Sequence, residues 1–177
     1  MPNYKEKYLV VDGYNIINSW AELNELKDLS LDDAREKLID YMSEFKSLSD
    51  EKIIVVFDSY KKEGSVRTII KRKGIEIVYT EEDELADNYI ERLVSNKKKY
   101  QEYRVASSDS IIQSIILGRG ATRISANELL LEYNQKKSST LSRNKKQYSK
   151  RNKNIVQLDD EQIKKLEKFE RILKEDK

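Results

Sequence analysis

The chain has 177 residues and a formal net charge of +2, and it is 37% charged and 38% hydrophobic, which suits one folded domain with a substantial core. It contains no cysteine and no histidine, which excludes disulfides, zinc–thiolate sites, cysteine nucleophiles and histidine general bases. Any metal ion must therefore be held by oxygen atoms, and oxygen ligands favour Mg²⁺ or Mn²⁺.

The amino-terminal residues 1–8 are mostly polar and carry no apolar run, so they do not resemble a signal peptide. No segment approaches the roughly 18 consecutive apolar residues that a membrane helix requires. We therefore expect a cytoplasmic protein without a membrane partner. We also expect it to be a monomer.

The first predicted strand covers residues 8–11 and runs directly into Asp12. Gly13 then supplies a turn, and Asn15 stands where a short helix over residues 16–20 would begin. Because ligands bind at the carboxyl ends of the strands in open α/β sheets, Asp12 marks a candidate functional edge.

The later elements alternate between strand and helix along the chain. Strands are predicted at about residues 53–57, 75–79, 103–106 and 120–124. Helices are predicted at about residues 30–48, 80–94 and 111–117 and from residue 127 onward. The expected N-caps of these helices are Ser30, Thr80 and Ser125. The pattern assigns no element to residues 66–73.

This alternation predicts a three-layer α/β/α fold around a mostly parallel sheet of about five strands. We assign the α/β domain to residues 1–134. Residues 135–177 are expected to form a basic extension and a C-terminal helix that packs on the domain. The apolar stripe of that helix contains Ile163, Leu166, Phe169, Ile172 and Leu173.

Three aspartates, Asp12, Asp58 and Asp109, each fall at the carboxyl end of a predicted strand. Turn chemistry alone explains any one of them, because aspartate is common after strands. Three such coincidences favour a shared site instead. Asn15 could hold a metal-bound water or a phosphate oxygen, or it could serve as a helix N-cap.

A fourth acid comes from the helix after the third strand. Glu84, Asp87 and Glu91 share one helical face by their spacing, so Glu84 and Asp87 could project over the same sheet edge. The alternative is a solvated acidic face. Clustered carboxylates repel one another, and a divalent cation relieves that repulsion, so the set predicts a site for Mg²⁺ or Mn²⁺.

Several motifs resemble one known family. The segment Val11-Asp12-Gly13-Tyr14-Asn15 is similar to the signature of the NYN domain, a branch of the PIN-like metal-dependent ribonucleases. The likeness to the YacP-like subfamily extends in order from about residue 8 to residue 133. Its further motifs are Phe57-Asp58, Glu84-Leu85-Ala86-Asp87, Ser107-Ser108-Asp109 and residues 118–130.

The resemblance implies a PIN-like fold and endonucleolytic cleavage of RNA, with messenger RNA cut in the ribosomal A site during translation. Messenger RNA and the ribosome, including ribosomal RNA, are the implied partners, and mRNA decay is the implied role. Carried over by position, Asp12, Asp87 and Asp109 are the metal ligands, supported by Asp58 and Asn15, with Glu84 as a further metal candidate. Leu85 and Asn88 depart from the subfamily pattern, which leaves a second metal position open.

Residues 135–154 contain no acid and almost no apolar side chain, which suits contact with RNA phosphates. A solvated linker is the alternative for such a charge run. The candidate RNA- or ribosome-binding residues are Arg119, Arg123, Lys136, Lys137, Arg143, Lys145, Lys146, Lys150, Arg151 and Lys153.

Three other functions compete with a metal-dependent endoribonuclease. The first is a non-catalytic RNA- or ribosome-binding module on the same fold, which would gain nothing from acids facing phosphates. The second is a phospho-receiver domain, which needs an acidic pair that the segment after the first strand lacks. The third is a metal-independent ribonuclease that uses lysine, arginine and tyrosine side chains.

Overall fold

The computed structural model of the chain describes residues 5–59 and 66–156, with side chains described up to residue 142. The strands are β1 Glu6–Asp12, β2 Lys52–Phe57, β3 Thr68–Arg72, β4 Ile75–Tyr79, β5 Gln101–Ala106 and β6 Thr122–Ile124. The helices are α1 Gly13–Ser19, α2 Ala21–Leu29, α3 Leu31–Ser47, α4 Ala86–Ser95, α5 Ser110–Gly118 and α6 Ala126–Val156.

The six strands form one sheet in the order β3-β4-β2-β1-β5-β6. Only β3 is antiparallel to its neighbour, and the remaining pairs are parallel. Strand β1 lies at the centre, where Val11 pairs with Val55 on one side and with Ala106 on the other. The predicted three-layer, mostly parallel fold is therefore confirmed, with six strands rather than about five.

Helices cover both faces of the sheet. Side chains of α1, α2, α3 and the start of α6 pack with Leu9 and Val11 on one face. Side chains of α4 and α5 pack with Val10 on the other face. Leu9, Val10 and Val11 are all fully buried. This double coverage explains why β1 reads as an unbroken apolar run rather than an alternating pattern.

The single tryptophan ties the first helices to the start of α6. Trp20 is 3% exposed, and its indole Nε1 donates to the carbonyl oxygen of Ala126 at 2.9 Å. Its ring also meets the Tyr41 ring edge-on, with the ring centroids 5.4 Å apart.

An arginine crosslinks two acids elsewhere on the sheet. From β5, Arg104 donates two hydrogen bonds to the carboxylate of Glu51, at 2.8 and 2.9 Å. Its Nη1 donates to Glu132 on α6 at 3.0 Å. The fork geometry of a guanidinium suits this arrangement, because it satisfies two carboxylates at once.

Two elements were not predicted. Residues 66–73 contain edge strand β3, whose residues are all exposed, so no buried face produces a strand pattern. Helix α2 buries only Leu23, so its apolar periodicity is weak.

The predicted start of α4 is wrong. The helix begins at Ala86 rather than near Thr80, because Asp83 adopts a positive φ of 63° that breaks the chain direction. The hydroxyl of Thr80 does not cap the helix. It accepts a hydrogen bond from the backbone N–H of Ser59 at 3.0 Å.

The other two predicted caps are confirmed. Ser30 accepts from the backbone N–H of Asp33 at 3.2 Å. Ser125 accepts from the N–H of Glu128 at 3.2 Å, and the Glu128 carboxylate accepts from the N–H of Ser125 at 2.7 Å, which forms a capping box. Helix α6 begins at this box and includes the basic residues as far as Lys153.

The chain divides into two compact units, Met1–Lys136 and Lys137–Lys177. The assignment of the functional domain to residues 1–134 stays a prediction. The expected C-terminal helix and its apolar stripe lie outside the described residues. Within the part of the chain that the structure describes, no helix is long and apolar enough to cross a membrane.

Candidate active site

Three of the predicted site residues meet at the carboxyl edge of the sheet. Asp12 ends β1, Asp58 directly follows β2, and Asp109 lies three residues beyond β5. Because β2, β1 and β5 are adjacent and parallel, their carboxyl ends lie at the same edge. The structure therefore brings these acids together as the sequence predicted.

Asp87 joins the same edge from the first turn of α4. Burial raises the pKa of its carboxyl, and the neighbouring charges of Asp109 and Asp58 raise it further. Burial also raises the pKa of Asp12 to about 6, with additional contributions from Asp87 and Asp58. We call Asp12, Asp58, Asp87 and Asp109 the acid cluster. The charges of these acids therefore add to the effect of burial and disfavour the ionised forms of Asp12 and Asp87.

Asp12 is only 8% exposed, and both of its carboxylate oxygens accept hydrogen bonds. Oδ1 accepts from the backbone N–H of Asn15 at 3.2 Å and so caps α1. Oδ2 accepts from the Ser107 hydroxyl at 3.4 Å. These contacts lower the pKa of Asp12 but do not outweigh its burial. Turn chemistry and membership of the acid cluster therefore coexist in this residue.

Two other acids of the cluster also hold helix starts. Asp109 caps α5 by accepting from the N–H groups of Ile111 at 2.7 Å and Ile112 at 3.4 Å. Asp58 accepts from the N–H of Ala86 and so fixes the first turn of α4 beside Asp87. Among the described residues, no hydrogen bond or ion pair engages the Asp87 carboxylate. Its oxygens are thus available to a ligand.

Asn15 bridges two turns of the site. Its side-chain Oδ1 accepts from the backbone N–H of Ser108 at 2.7 Å. The Ser108 hydroxyl accepts in turn from the N–H of Ala126 at 3.3 Å. Asn15 lies inside α1, and the N-cap is Asp12, so the alternative of Asn15 as a cap is wrong. Its amide instead locks the β1 turn against the β5 turn.

Glu84 is placed differently from the prediction. It precedes α4, so it does not share a helical face with Asp87 and Glu91. Its carboxylate pairs with Arg67 at 2.7 Å and with Arg92 at 2.6 Å. Burial would raise the pKa of Glu84, but the hydrogen bonds from both arginines outweigh burial and lower it. Unlike the acid cluster, Glu84 is already neutralised.

Sequence reasoning missed a tyrosine–arginine pair beside Asp58. Arg35 of α3 donates from Nε to the Tyr14 hydroxyl at 2.8 Å. Burial raises the pKa of Tyr14, and the charge of Asp58 adds to this shift. Tyr14 belongs to the motif at residues 11–15, but Arg35 lies 21 residues away, and no spacing rule connects the two.

Gly13 permits the close approach of α1 to β2. A Cβ at this position would lie 2.3 Å from Cε1 and 2.4 Å from Cδ1 of the Phe57 ring. Such distances are well inside van der Waals contact, so any larger residue must displace the ring or the helix. This glycine therefore sets the position of Asp12 and Asn15 relative to Asp58.

The predicted RNA-binding arginines have partners near the site. Arg123 donates to the Gln113 side chain at 3.0 Å, and Gln113 donates to the carbonyl oxygen of Ser107 at 2.7 Å. Arg119 pairs with Glu91 at 3.0 Å. Lys136 lies 3.7 Å from Glu132. The predicted residues Arg143, Lys145, Lys146, Lys150, Arg151 and Lys153 lie on α6, and their side chains are outside the described part.

The donor chemistry of the acid cluster suits a hard divalent cation, since all its ligand atoms are carboxylate oxygens. Among the described residues, no group of three or more acids is close enough to form a ready-made metal site. Mg²⁺ usually takes only one or two protein carboxylates and completes its shell with water and phosphate. The residues present therefore fit such an ion by charge and by donor type.

Comparisons of sequence and structure point to one family. The profile of the YacP-like NYN domain matches residues 9–171. The YacP protein of Bacillus subtilis strain 168 is 36% identical over 164 residues, which cover 92% of this chain and 96% of that protein.

Two crystal structures of Rae1 (YacP) from Bacillus subtilis, both 36% identical to this chain, share the fold. One gives a TM-score of 0.67 and covers 93% of this chain and 94% of its own. The other, a tryptophan-to-leucine variant, gives 0.68 and covers 81% and 84% respectively.

The mostly parallel sheet between two helical layers, with acids at its carboxyl edge, defines a PIN-like nuclease domain. The chain belongs to the YacP-like NYN domain family, as the motifs around Asp12 predicted.

Proposed function

We propose that this protein is an endoribonuclease that depends on Mg²⁺ or Mn²⁺ and cleaves messenger RNA in the ribosomal A site. The observation that carries the proposal is the acid cluster, in which four carboxylates from separate elements converge and add to the burial that raises the pKa values of Asp12 and Asp87. A protein that merely binds RNA is penalised by negative charge facing phosphates, whereas a metal-assisted hydrolase requires it.

A bound divalent cation would activate water and stabilise the charge on the leaving oxygen. Asp12, Asp87 and Asp109 would hold it, one or two of them directly and the rest through bound water, with Asp58 in support. Asp87 is the carboxylate best suited to accept the proton of the attacking water, because no described group occupies its oxygens. As the water oxygen bonds to phosphorus, the bond to the bridging oxygen breaks, and that oxygen takes up a proton.

The remaining parts of the chain suit a negatively charged strand. Arg123 is held by Gln113 beside the Ser107 carbonyl, so its guanidinium lies close to the turn that carries Asp109. The lysine-rich part of α6 offers phosphate contacts to substrate or ribosomal RNA. Messenger RNA stretched in the A site would reach the acid cluster in a fixed register, which supplies the proximity that catalysis needs.

The first test removes one charge from the acid cluster. Asp12→Asn keeps a side chain that caps helices well, so the fold should survive while cleavage falls at least about a hundredfold. Asp28→Asn is the matched control, since Asp28 is exposed and remote from the site. RNA cleavage is measured by gel with Mg²⁺, with Mn²⁺ and with EDTA. Full activity of Asp12→Asn, or full activity in EDTA, contradicts the proposal.

The second test concerns the ribosome. One cleavable segment is placed in frame and then shifted by one nucleotide in a translating extract. Cutting should follow the reading frame and should stop when puromycin releases the nascent chains. Equal cutting in both frames leaves a nuclease but removes the ribosome as the source of specificity.

The lysine-rich part of α6 is tested by Lys145→Ala, Lys146→Ala, Lys150→Ala and Arg151→Ala in combination. Each lost phosphate contact should reduce the slope of log affinity against log salt by up to about one unit. Co-sedimentation with ribosomes across a salt series measures this slope. An unchanged slope would show that this segment is solvated and does not contact RNA phosphates.

A further inference from the structure

An apolar groove of about 160 Å³ runs between α4 and α5 at the border of the acid cluster. Its walls include Leu85, Ile111 and Ile115. Leu85 is 59% exposed and Ile111 is 70% exposed, which is high for large aliphatic side chains. Exposed apolar side chains that line a concavity indicate a ligand surface more often than scattered ones do.

The groove is continuous with the proposed catalytic edge. Asp87 belongs both to the acid cluster and to the groove lining. The backbone N–H of Ile111, whose side chain lines the groove, donates to Asp109. A polynucleotide with one phosphate at the acid cluster therefore has this groove within reach of a neighbouring nucleotide.

The polar rim of the groove selects which part of that nucleotide enters. Asp87, Asn88 and Glu91 line it at successive positions along α4. Two carboxylates repel a phosphate, but they accept hydrogen bonds from an amino group. Amide side chains pair with adenine, and carboxylates accept from the cytosine amino group. Uracil has no exocyclic amino group to offer.

We infer that the α4–α5 groove receives the base of the nucleotide next to the scissile phosphate and favours a base with an exocyclic amino group (adenine, cytosine or guanine) over uracil. This inference rests on the proposed nuclease function and names the part of the substrate that lies beside the acid cluster. Leu85 and Ile111 supply apolar contact to the base faces, and Asn88 contacts the amino edge. Glu91 at the rim of the groove also pairs with Arg119, whose guanidinium suits contact with a neighbouring phosphate.

The experiment measures binding of short single-stranded RNAs, each with one base removed at a defined position. Asp12→Asn serves as the background, so that the RNA stays intact, and the Leu85→Ala/Ile111→Ala double variant is compared with it. Leu117→Ala/Leu131→Ala is the matched control, because these leucines are 53% and 60% exposed and do not line the groove. Thermal unfolding checks that all variants fold.

Loss of one particular base should weaken binding to the background protein by about fivefold to tenfold. The groove variant should show the same loss with intact RNA and no further loss when that base is missing. The control variant should retain the full sensitivity. Replacing the base by uracil should resemble its removal, and Asn88→Ala should reduce this discrimination.

Two results overturn the inference. One is equal sensitivity to base removal in the groove variant and in the background protein. The other is the absence of measurable binding to any of these RNAs, which would leave the groove to a protein partner. Failure of the nuclease proposal is seen separately, as RNA that stays uncut by the protein with Asp12 intact while the base-dependent binding persists.

Discussion

Two buried acids, Glu51 and Asp12, have charged neighbours of opposite sign. Glu51, 9% exposed, shares the guanidinium of Arg104 with Glu132, and three of the hydrogen bonds are 3.0 Å or shorter. Asp12 is buried to a similar degree, at 8% exposed, yet its near charges are the carboxylates of Asp87 and Asp58. The degree of burial is the same, but the electrostatic environment has the opposite sign.

The comparison separates structural from functional charge. A guanidinium partner stabilises a buried carboxylate, whereas the neighbouring carboxylates of the acid cluster disfavour ionisation of Asp12 and Asp87. Glu84 belongs with the first group, because Arg67 and Arg92 already neutralise it. This distinction separates Glu84 from the acid cluster, which its position in the sequence does not.

The largest expected effect on stability comes from removing the structural cation. Arg104→Met removes the guanidinium from Glu51 and leaves Glu132 with only Lys136, 3.7 Å away, which should lower the free energy of unfolding by about 2–3 kcal/mol. This figure allows for the partial exposure of the arginine side chain, 29%. Urea denaturation measures it.

The control for Arg104→Met is Arg72→Met, which breaks an exposed ion pair with Glu36 and should change the stability far less, because solvent screens that pair. RNA cleavage below the unfolding range should stay unchanged in both variants. A cleavage defect in folded Arg104→Met would contradict the division between structural and functional acids.

Removing a charge from the acid cluster should raise the free energy of unfolding instead of lowering it. The pKa of Asp12 is raised in the folded protein from 3.8 to about 6, so the folded state binds a proton more tightly than the unfolded state. The loss of stability that ionised Asp12 causes is therefore absent well below pH 3.8 and fully present above about pH 6. In metal-free buffer at pH 7, Asp12→Asn should be more stable than the wild type by about 2 kcal/mol.

That gain should shrink as the pH falls through 6 and should vanish only near about pH 3, where Asp12 is largely protonated in both states. Unfolding curves at several pH values, with Asp28→Asn as the control, reveal the crossover. A constant difference between Asp12→Asn and the wild type across this range would show that the charge of Asp12 is not the destabilising factor.

The smallest expected effect concerns Glu84. Because two arginines occupy its carboxylate, Glu84→Gln should change the rate of RNA cleavage by less than about twofold. Asp87→Asn, only three residues away, should reduce it at least about a hundredfold. Single-turnover cleavage assays compare the two. Equal losses would restore Glu84 as a metal ligand, as the sequence spacing suggested.

The acid cluster was predictable wherever the signal was local. Asp12 and Asp58 each follow an apolar run, and such a run is typical of a strand buried on both faces. Parallel order then brings the strand ends together without any knowledge of side-chain contacts. The capping box at Ser125 is equally local, since both of its partners lie within one turn.

Features that depend on distant partners were not predictable. Arg67 lies 17 residues before Glu84, and nothing in the intervening sequence pairs them. The positive φ at Asp83 delays the start of α4. The sequence does not reveal it, because an aspartate is equally typical of the first turn of a helix. Strand β3 escaped detection since Ile69 and Ile70 are both exposed, so its apolar residues do not mark a buried face.

The peptide group of Ala126 gives the protein an intrinsic optical reporter. Its carbonyl oxygen accepts a hydrogen bond from the indole of Trp20, and its N–H donates to the hydroxyl of Ser108. Ser108 lies in the turn after β5, next to Asp109, and its backbone N–H donates to Asn15. Trp20 is the sole tryptophan of the chain, so its emission arises from one environment. A ligand that shifts the Ser108 turn changes the polarity and hydrogen bonding around this indole. Tryptophan fluorescence can therefore follow occupancy of the acid cluster in unlabelled protein, including in stopped-flow experiments.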